Sequence, residues 1–545
     1  MQVLGQVPGQ EQGRLEAVMR GIWARDPTAW TDNSAHIRDI PRWLGWLDVA
    51  SDMRRQAVRE LTAFAEEVRR EDFTHALLLG MGGSSLAPEV LRLTYGQRPG
   101  YLDLAVLDST DPAVVLDYQR RLPAEKTLYI VSTKSGTTTE TLSFQRFFYD
   151  AVAARASGAK TGAAGQQFVA ITDAGSSLEQ EATELAFRRT FLNPVDIGGR
   201  YSALSYFGLV PAALLGIDLD TLLERAEAGM RACRPETPIA ENPGAQLGAA
   251  LAGYAAAGRD KVTLACAEPF RSFGYWVEQL LAESTGKEGQ GLIPVEGEPL
   301  GAPEVYGNDR VFVALGTHDE YGEARLRALE GAGHPLIRLP AQSAADLGHQ
   351  FFVWEFATAV AGALLGIDAF DQPNVQESKD NTNRVLREYE ASGRLPSVPE
   401  VHLNDAPAAI AALLRQAAPG DYLALLAYLP RTAEHDAALG AWRQSLRDQL
   451  QLATTLGYGP RFLHSTGQLH KGGPGSGRFI QLVSDDLEDA PIPAAPYTFG
   501  TLKQAQAIGD LQALLEHGRR AVRVRLGGDV TAALRALAVE TSPLL

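Results

Sequence analysis

Short apolar runs alternate with helix-length amphipathic stretches over most of the chain. From about residue 75 the runs His75–Gly80, Leu104–Asp108, Thr127–Thr133 and Phe168–Thr172 predict strands, each followed by a loop and a helix. That alternation implies a parallel sheet with helices on both faces and ligands at the carboxyl ends of the strands. A second alternation runs from about 245 to 385, with strands at Val262–Ala267, Val311–Gly316 and Pro335–Leu339 and a helical run Leu347–Gly366. A helical connection, Leu204–Cys233, joins the two. Residues 390–420 are looser. A less regular α/β segment follows, with strands at Asp421–Leu429, Arg478–Val483 and Val522–Leu526 and helices around 436–454 and 503–519. The first 70 residues read as helical and loop-rich, with Trp23, Trp30, Trp43 and Trp46 as packing anchors.

The pattern divides the chain into a helical segment (1–70), a first α/β domain (71–235), a second (236–390) and a C-terminal α/β segment (391–545). A length of 545 residues suits this, being roughly three to four domains' worth of chain. Composition, 45% apolar and 21% charged, is that of a soluble globular protein. The longest apolar runs are too short to span a bilayer. The N-terminus lacks a basic n-region and an apolar h-region, so no secretory signal is expected. A net charge of −16 repels polyanions at long range, which argues against nucleic-acid partners. An anionic metabolite would have to be held by local groups. Cys233 and Cys266 match no metal spacing and suggest a reducing compartment.

Chemistry concentrates where apolar runs end. In LYIVSTKSGTTTETLSF (Leu128–Phe144), a strand gives way to Ser132, Thr133, Lys134, Ser135, Gly136, Thr137, Thr138 and Thr139, and a helix begins near Glu140 and Thr141. Hydroxyls, an ammonium, free backbone N–H groups and a helix N-terminus suit a phosphate monoester dianion. A polar turn with a well-capped helix is the plainer reading. In HALLLGMGGSSLAPEVLRL, Gly80–Gly83 allow close backbone approach, and Ser84 and Ser85 open a helix. This is neither a P-loop nor a dinucleotide fingerprint.

Three further motifs carry charge toward a cleft. DIGGRYSALS places Arg200 at the start of a helical run, where it could stabilise a developing oxyanion or simply cap. In GYWVEQLLAESTGK, Gln279 and Glu283 share one helix face. Glu283 lies in the last turn, against the helix dipole, which favours a general base. FDQPNVQESK carries Asp371, Gln372 and, on a short helix, Lys379. Of the eight lysines, Lys134, Lys287, Lys379 and Lys471 fall inside such motifs in a chain whose routine cation is Arg.

In order, GMGGSSLAP, STKSGTTTET, GGRYSALS, QLLAESTGK and FDQPNVQESK resemble the glucose-6-phosphate isomerase (phosphoglucose isomerase) family over roughly residues 75–385. The resemblance looks closest to the branch related to bifunctional transaldolase/phosphoglucose isomerase. No transaldolase domain is expected here, because the isomerase motifs begin within the first 80 residues. The resemblance implies two sugar-isomerase (SIS) domains, each a three-layer α/β/α sandwich with a mainly parallel sheet. It implies reversible aldose–ketose isomerisation of glucose 6-phosphate and fructose 6-phosphate through a cis-enediol(ate), in a cytoplasmic homodimer without cofactor or metal. By resemblance, Gly83, Ser84, Thr133, Lys134, Ser135, Thr138 and Thr141 hold the sugar phosphate, and Gln279 and Gln372 line the site. Glu283 is the base between C2 and C1, Arg200 stabilises the enediolate, and Lys379 assists ring opening. Aldose–ketose exchange needs such a carboxylate and cation, with remote phosphate binding to offset the cost of orienting the sugar.

One element of the family is missing. A ring-opening histidine, supplied in the family by the neighbouring subunit, sits in a GTNxQH-like motif between the positions matching Glu283 and Lys379. Here that interval reads VYGNDRVFV, with Arg310 near the expected place. His318, His334 and His349 have no such surroundings. The C-terminal HSTGQLHK contains a displaced version, so the expected imidazole is His470 first and His464 second, with Lys379 or water as the alternative. Two other activities remain open from sequence: a non-catalytic SIS sugar-phosphate binder, and an isomerase of another phosphosugar such as mannose 6-phosphate.

Overall fold

The structure is a computed structural model and describes residues 2–4, 12–155 and 163–545. The N-terminal stretch before Gln12, apart from Gln2–Leu4, lies outside them. The described residues form three five-stranded sheets, and strand β1 (Gln2–Leu4) belongs to the second. The first sheet comprises β2 (His75–Gly80), β3 (Asp103–Leu107), β4 (Thr127–Ser132), β5 (Phe168–Asp173) and β6 (Arg189–Asn193), in the order β3-β2-β4-β5-β6. All its pairings are parallel. The second comprises β7 (Lys261–Cys266), β8 (Ile293–Val295), β9 (Arg310–Leu315) and β10 (Leu336–Leu339), in the order β1-β10-β9-β7-β8. It is parallel except for β1, which pairs antiparallel to β10 in register Val3↔Ile337.

The C-terminal segment is more regular than its sequence suggests. It forms a third, wholly parallel sheet of β11 (Val401–His402), β12 (Tyr422–Tyr428), β13 (Ala453–Tyr458), β14 (Gly477–Val483) and β15 (Arg520–Arg525), ordered β11-β15-β14-β12-β13. The predicted helix over 436–454 ends earlier, at Leu450, because Gln451 takes a left-handed conformation (φ 56°) and releases the chain into β13. Strand β8 escapes a pattern reading because it is three residues long with Pro294 at its centre. It lies at a sheet edge, where a missing N–H is tolerated.

Six helices position the site: α1 (Leu86–Tyr95), α2 (Thr139–Arg155), α3 (Phe273–Thr285), α4 (Pro373–Ser392), α5 (Gly467–Gly472) and α6 (Phe499–Glu516). Helix α4, expected to be short, runs 20 residues, Pro373–Ser392, and is closed by a left-handed Gly393.

Strands β4, β9, β12 and β14 are buried along their whole length, as parallel strands covered on both faces must be. Trp30 and Trp46 pack fully inside the core shared by the N-terminal helices and the first two sheets, while Trp23 and Trp43 lie at its margin. Two further cores join the third domain to the others. Phe144, Phe147 and Phe148 of α2 pack with Phe499, Leu502 and Ile508 of α6. Ala282, Ile293 and Val295 of the second domain pack with Tyr422, Leu426, Phe462 and Leu469 of the third. Among the described residues no helix is long and apolar enough to cross a membrane.

Candidate active site

The carboxyl ends of β2 and β4 lie side by side and send out the two polar loops. After β2 the chain makes a tight turn, Gly82–Ser84, before α1. A Cβ on Gly83 would sit 2.1 Å from the Gly199 carbonyl oxygen, so only glycine lets this turn meet the loop that carries Arg200. The Ser132 hydroxyl donates to the Ser84 carbonyl at 3.0 Å and ties the two loops together.

Within the hydroxyl-rich loop, Thr133 and Thr138 share a hydrogen bond (3.0 Å), as do Ser135 and Thr137 (2.9 Å). Gly136 takes a positive φ of 70° and reverses the chain so that α2 starts at Thr139. Thr141 is fully buried, and its Oγ1 has no hydrogen-bond partner among the described residues. Lys134 departs from expectation. Its ammonium pairs with Asp173 and donates to the Val195 carbonyl at 3.0 Å, beside the Trp43 ring. In this arrangement the charge of Lys134 braces the loop, and the hydroxyls and helix N-terminus remain as the groups suited to a dianion.

Glu283, in the last turn of α3, accepts from Gln279 Nε2 at 3.0 Å. Arg200 Nη1 is 3.4 Å from its other oxygen, so the carboxylate faces a cation rather than a bare helix end. Arg200 is buried and held on every side. Nε donates to Ser284 Oγ (2.8 Å), Nη1 to Gln372 Oε1 (2.7 Å), and Nη2 to the carbonyls of Ala369 and Asp371 (2.8 and 2.9 Å). Lys287 steadies the same loop through the carbonyls of Asp368 and Asp371 and the Asp371 carboxylate. Burial, with Arg200 nearby, lowers its pKa to about 8. His36, Asp368 and Asp371 bring three metal-type donor atoms within 4.8 Å of one another, but Lys287 already supplies a cation there.

A cavity of about 240 Å³ is lined among others by Thr137, Thr139, Glu140, Lys379, His464 and Gln506. Sequence reasoning ranked His470 above His464, and the structure reverses the order. His470 is buried on α5 with its ring between Phe462 and Phe479, remote from solvent. Burial, reinforced by Lys471 and Arg519, pushes its pKa well below the usual range, which leaves a neutral ring. His464, in the short 3₁₀ turn Arg461–His464 before α5, faces the cavity with Nε2 2.9 Å from Glu140 Oε1. Its backbone carbonyl accepts from Gln279 Nε2 at 2.8 Å, so one amide bridges Glu283 and the His464 segment. Burial works to raise the Glu140 pKa, yet the adjacent His464 and the residue's own backbone N–H hold it below the usual carboxylate range.

Three groups escaped the sequence reading. Glu140 lay inside a quoted motif, and its place in a first helical turn was the available signal. Ser284 was visible only as part of a helix end. Gln506 carried no signal at all. It donates to Glu140 at 2.7 Å and accepts from Thr110 Oγ1 at 2.7 Å, from a helix more than 360 residues away in the chain.

Parallel sheets carrying a hydroxyl-rich loop, a carboxylate–guanidinium pair and a histidine–carboxylate pair define a protein of the sugar-isomerase (SIS) class. A model of the phosphoglucose isomerase family matches residues 55–292. The glucose-6-phosphate isomerase of Rubrobacter xylanophilus is 32% identical over 369 residues, covering 58% of this chain and 83% of that one. That of Lactobacillus helveticus is 29% identical over 389 residues, covering 63% and 86%. Among solved structures, a hypothetical protein from Thermus thermophilus superposes with a TM-score of 0.57 at 25% identity, covering 68% of this chain and 94% of that one. A glucose-6-phosphate isomerase from Chlamydia trachomatis shares the fold, with a TM-score of 0.54 at 20% identity and coverage of 72% and 81%. The chain belongs to the phosphoglucose isomerase family.

Proposed function

We propose that the protein interconverts D-glucose 6-phosphate and D-fructose 6-phosphate through a cis-enediol(ate), as a cytoplasmic enzyme of glycolysis and gluconeogenesis. Homodimeric assembly is carried into this reading from the family resemblance. The observation that carries it is the Glu283–Arg200 pair at 3.4 Å, set beside the loop suited to a phosphate. A phosphate sensor has no use for a buried carboxylate–guanidinium pair, whereas proton transfer between adjacent carbons needs one.

In this reading the phosphate binds at the N-terminus of α2, through Ser135, Thr138, Thr141 and the backbone of Gly83, Ser84, Thr133 and Lys134. The sugar reaches toward Glu283. In its doubly protonated form His464 gives its Nδ1 proton to the ring oxygen as the C1–O5 bond breaks, and the C1 hydroxyl proton passes to water beside Lys379, which leaves the open-chain C1 carbonyl. With ionised Glu140 accepting from Nε2–H, the other ring nitrogen is left to meet the sugar. Glu283 then takes the C2 proton and returns it to C1. Arg200, fixed by its four acceptors, offsets the negative charge that develops on the enediolate oxygens without reorganising. Gln279 and Gln372 orient Glu283 and Arg200 respectively.

The test is fructose 6-phosphate turnover by wild type and Glu283→Gln. The variant keeps the shape and loses the base, so kcat should fall roughly 10²- to 10⁴-fold. A wild type without turnover, or a variant within a few-fold of it, sinks the reading.

A further inference from the structure

We infer that the third α/β domain completes the active site in cis, so that each chain holds a full catalytic set and needs no side chain from a second copy. This rests on the isomerase reading above. Opening and isomerising a cyclic sugar phosphate requires an anchor, a base, a cation for the enediolate and a proton donor for the ring oxygen. The first domain carries the anchor and Arg200, the second carries Glu283, and the donor is His464, from the third.

The His464 segment is seated firmly against both other domains of its own chain. Its Nε2 reaches Glu140 at the start of α2 (2.9 Å), and its carbonyl accepts from Gln279 on α3 (2.8 Å). A Cβ on Gly82 would lie 2.8 Å from that carbonyl, so backbone meets backbone there. The carboxylate that orients the imidazole is gripped by a second residue of the third domain, Gln506 on α6. Just beyond, Gln468 accepts from the Asn374 N–H (2.9 Å) and donates to the Gly286 carbonyl (3.0 Å), clasping α4 to the end of α3.

Exchange of the domain with a second copy is opposed by the same contacts and by a short tether. Eight residues, 393–400, separate the end of α4 from β11 and reach at most ~28 Å when fully extended. Helix α4 itself packs on α6, since Val385 and Leu386 share a core with Leu502 and Ile508.

Complementation reads the inference directly. Glu283→Gln and His464→Asn are purified separately, then unfolded together in equal amounts and refolded. With sites completed in cis, the mixture shows no more turnover than the sum of its parts. If a dimer shared residues between copies, half the dimers would be mixed and each would hold one intact site. About a quarter of wild-type activity would then return, and the inference would fall. Wild-type protein diluted until sedimentation reports single chains gives a second reading that needs no variant. Specific activity should hold, and a loss that tracks dissociation would overturn the idea. So would a His464→Asn protein that turns over cyclic glucose 6-phosphate like wild type. Wild type that is inactive before any unfolding points instead to failure of the isomerase reading.

Discussion

The rings of Phe462 and Phe479 flank His470 at centroid distances of 5.9 and 5.1 Å, and its Nδ1 finds no partner among the described residues. Such a side chain behaves as an aromatic wedge, and its titration enters through folding. The imidazole protonates near pH 6.5 in an unfolded chain and only well below that here. Below about pH 6.5 the unfolded state therefore binds the extra proton. Stability that is intact above that pH is lost as pH falls, by up to about 1.4 kcal/mol per unit. His470→Phe should flatten this part of the acid slope while leaving turnover intact, as urea midpoints at about pH 7 and about pH 5.5 would report. His464 lies six positions earlier with the opposite fate. The motif likeness that favoured His470 was a likeness of letters. Which of two nearby histidines faces a cavity depends on how a 3₁₀ turn enters a helix and on what packs against each. That Gln279 and Glu283 share one helix face was legible because helix periodicity fixes it, whereas Glu283 and Arg200 stood out as a pair only through the family resemblance. The Lys134 contact with Asp173 was not legible, since it depends on a partner from the next strand.

Among the elements, the strands were the easiest to read. His75–Gly80 was bounded correctly from its apolar run, and most others shifted by only a residue or two, because a buried parallel strand announces itself as uninterrupted apolar sequence. Strands with polar ends, such as β6 (RTFLN), or containing proline, such as β8, fell below that signal. The site depends most on the contact between the Gly82–Ser84 turn and the loop before Arg200. In Gly83→Ala the added methyl would meet the Gly199 carbonyl oxygen at 2.1 Å, backbone that cannot swing aside. The two loops must separate, at a cost of about 1–3 kcal/mol. Because Arg200 moves with its loop, kcat should drop on the order of 10²-fold while the protein still folds. Steady-state kinetics with a thermal melt check both. A rise in KM alone would mean that only the phosphate end had moved.

At the scale of the whole molecule, the third domain is bolted to the first through a buried cluster. Lys503 on α6 pairs with Asp111 (2.8 Å) and Asp486, with no exposure of the lysine side chain. Lys503→Met would leave Asp111 buried without its cation, at a cost of about 3–5 kcal/mol. Because that pairing bridges domains, the loss should lower the single midpoint of denaturant unfolding rather than split the transition, with circular dichroism and tryptophan fluorescence moving together. The sequence pointed to a looser stretch over 390–420 and a less regular α/β segment after it, since a two-residue strand and a helix running on into β13 hide the order of the sheet. No local pattern announces that a domain will lie across an active site. The placing of His464 and Gln506 so late in the chain also sets a schedule during synthesis. When Glu283 is added to the growing chain, roughly 180 residues must still follow before His464 exists, and more before the helix whose Gln506 holds Glu140 beside it. On the proposed reading a nascent chain acquires its phosphate-binding half early and holds the full catalytic set only once the third sheet has closed. The enzyme's own translation thus serves as its timer.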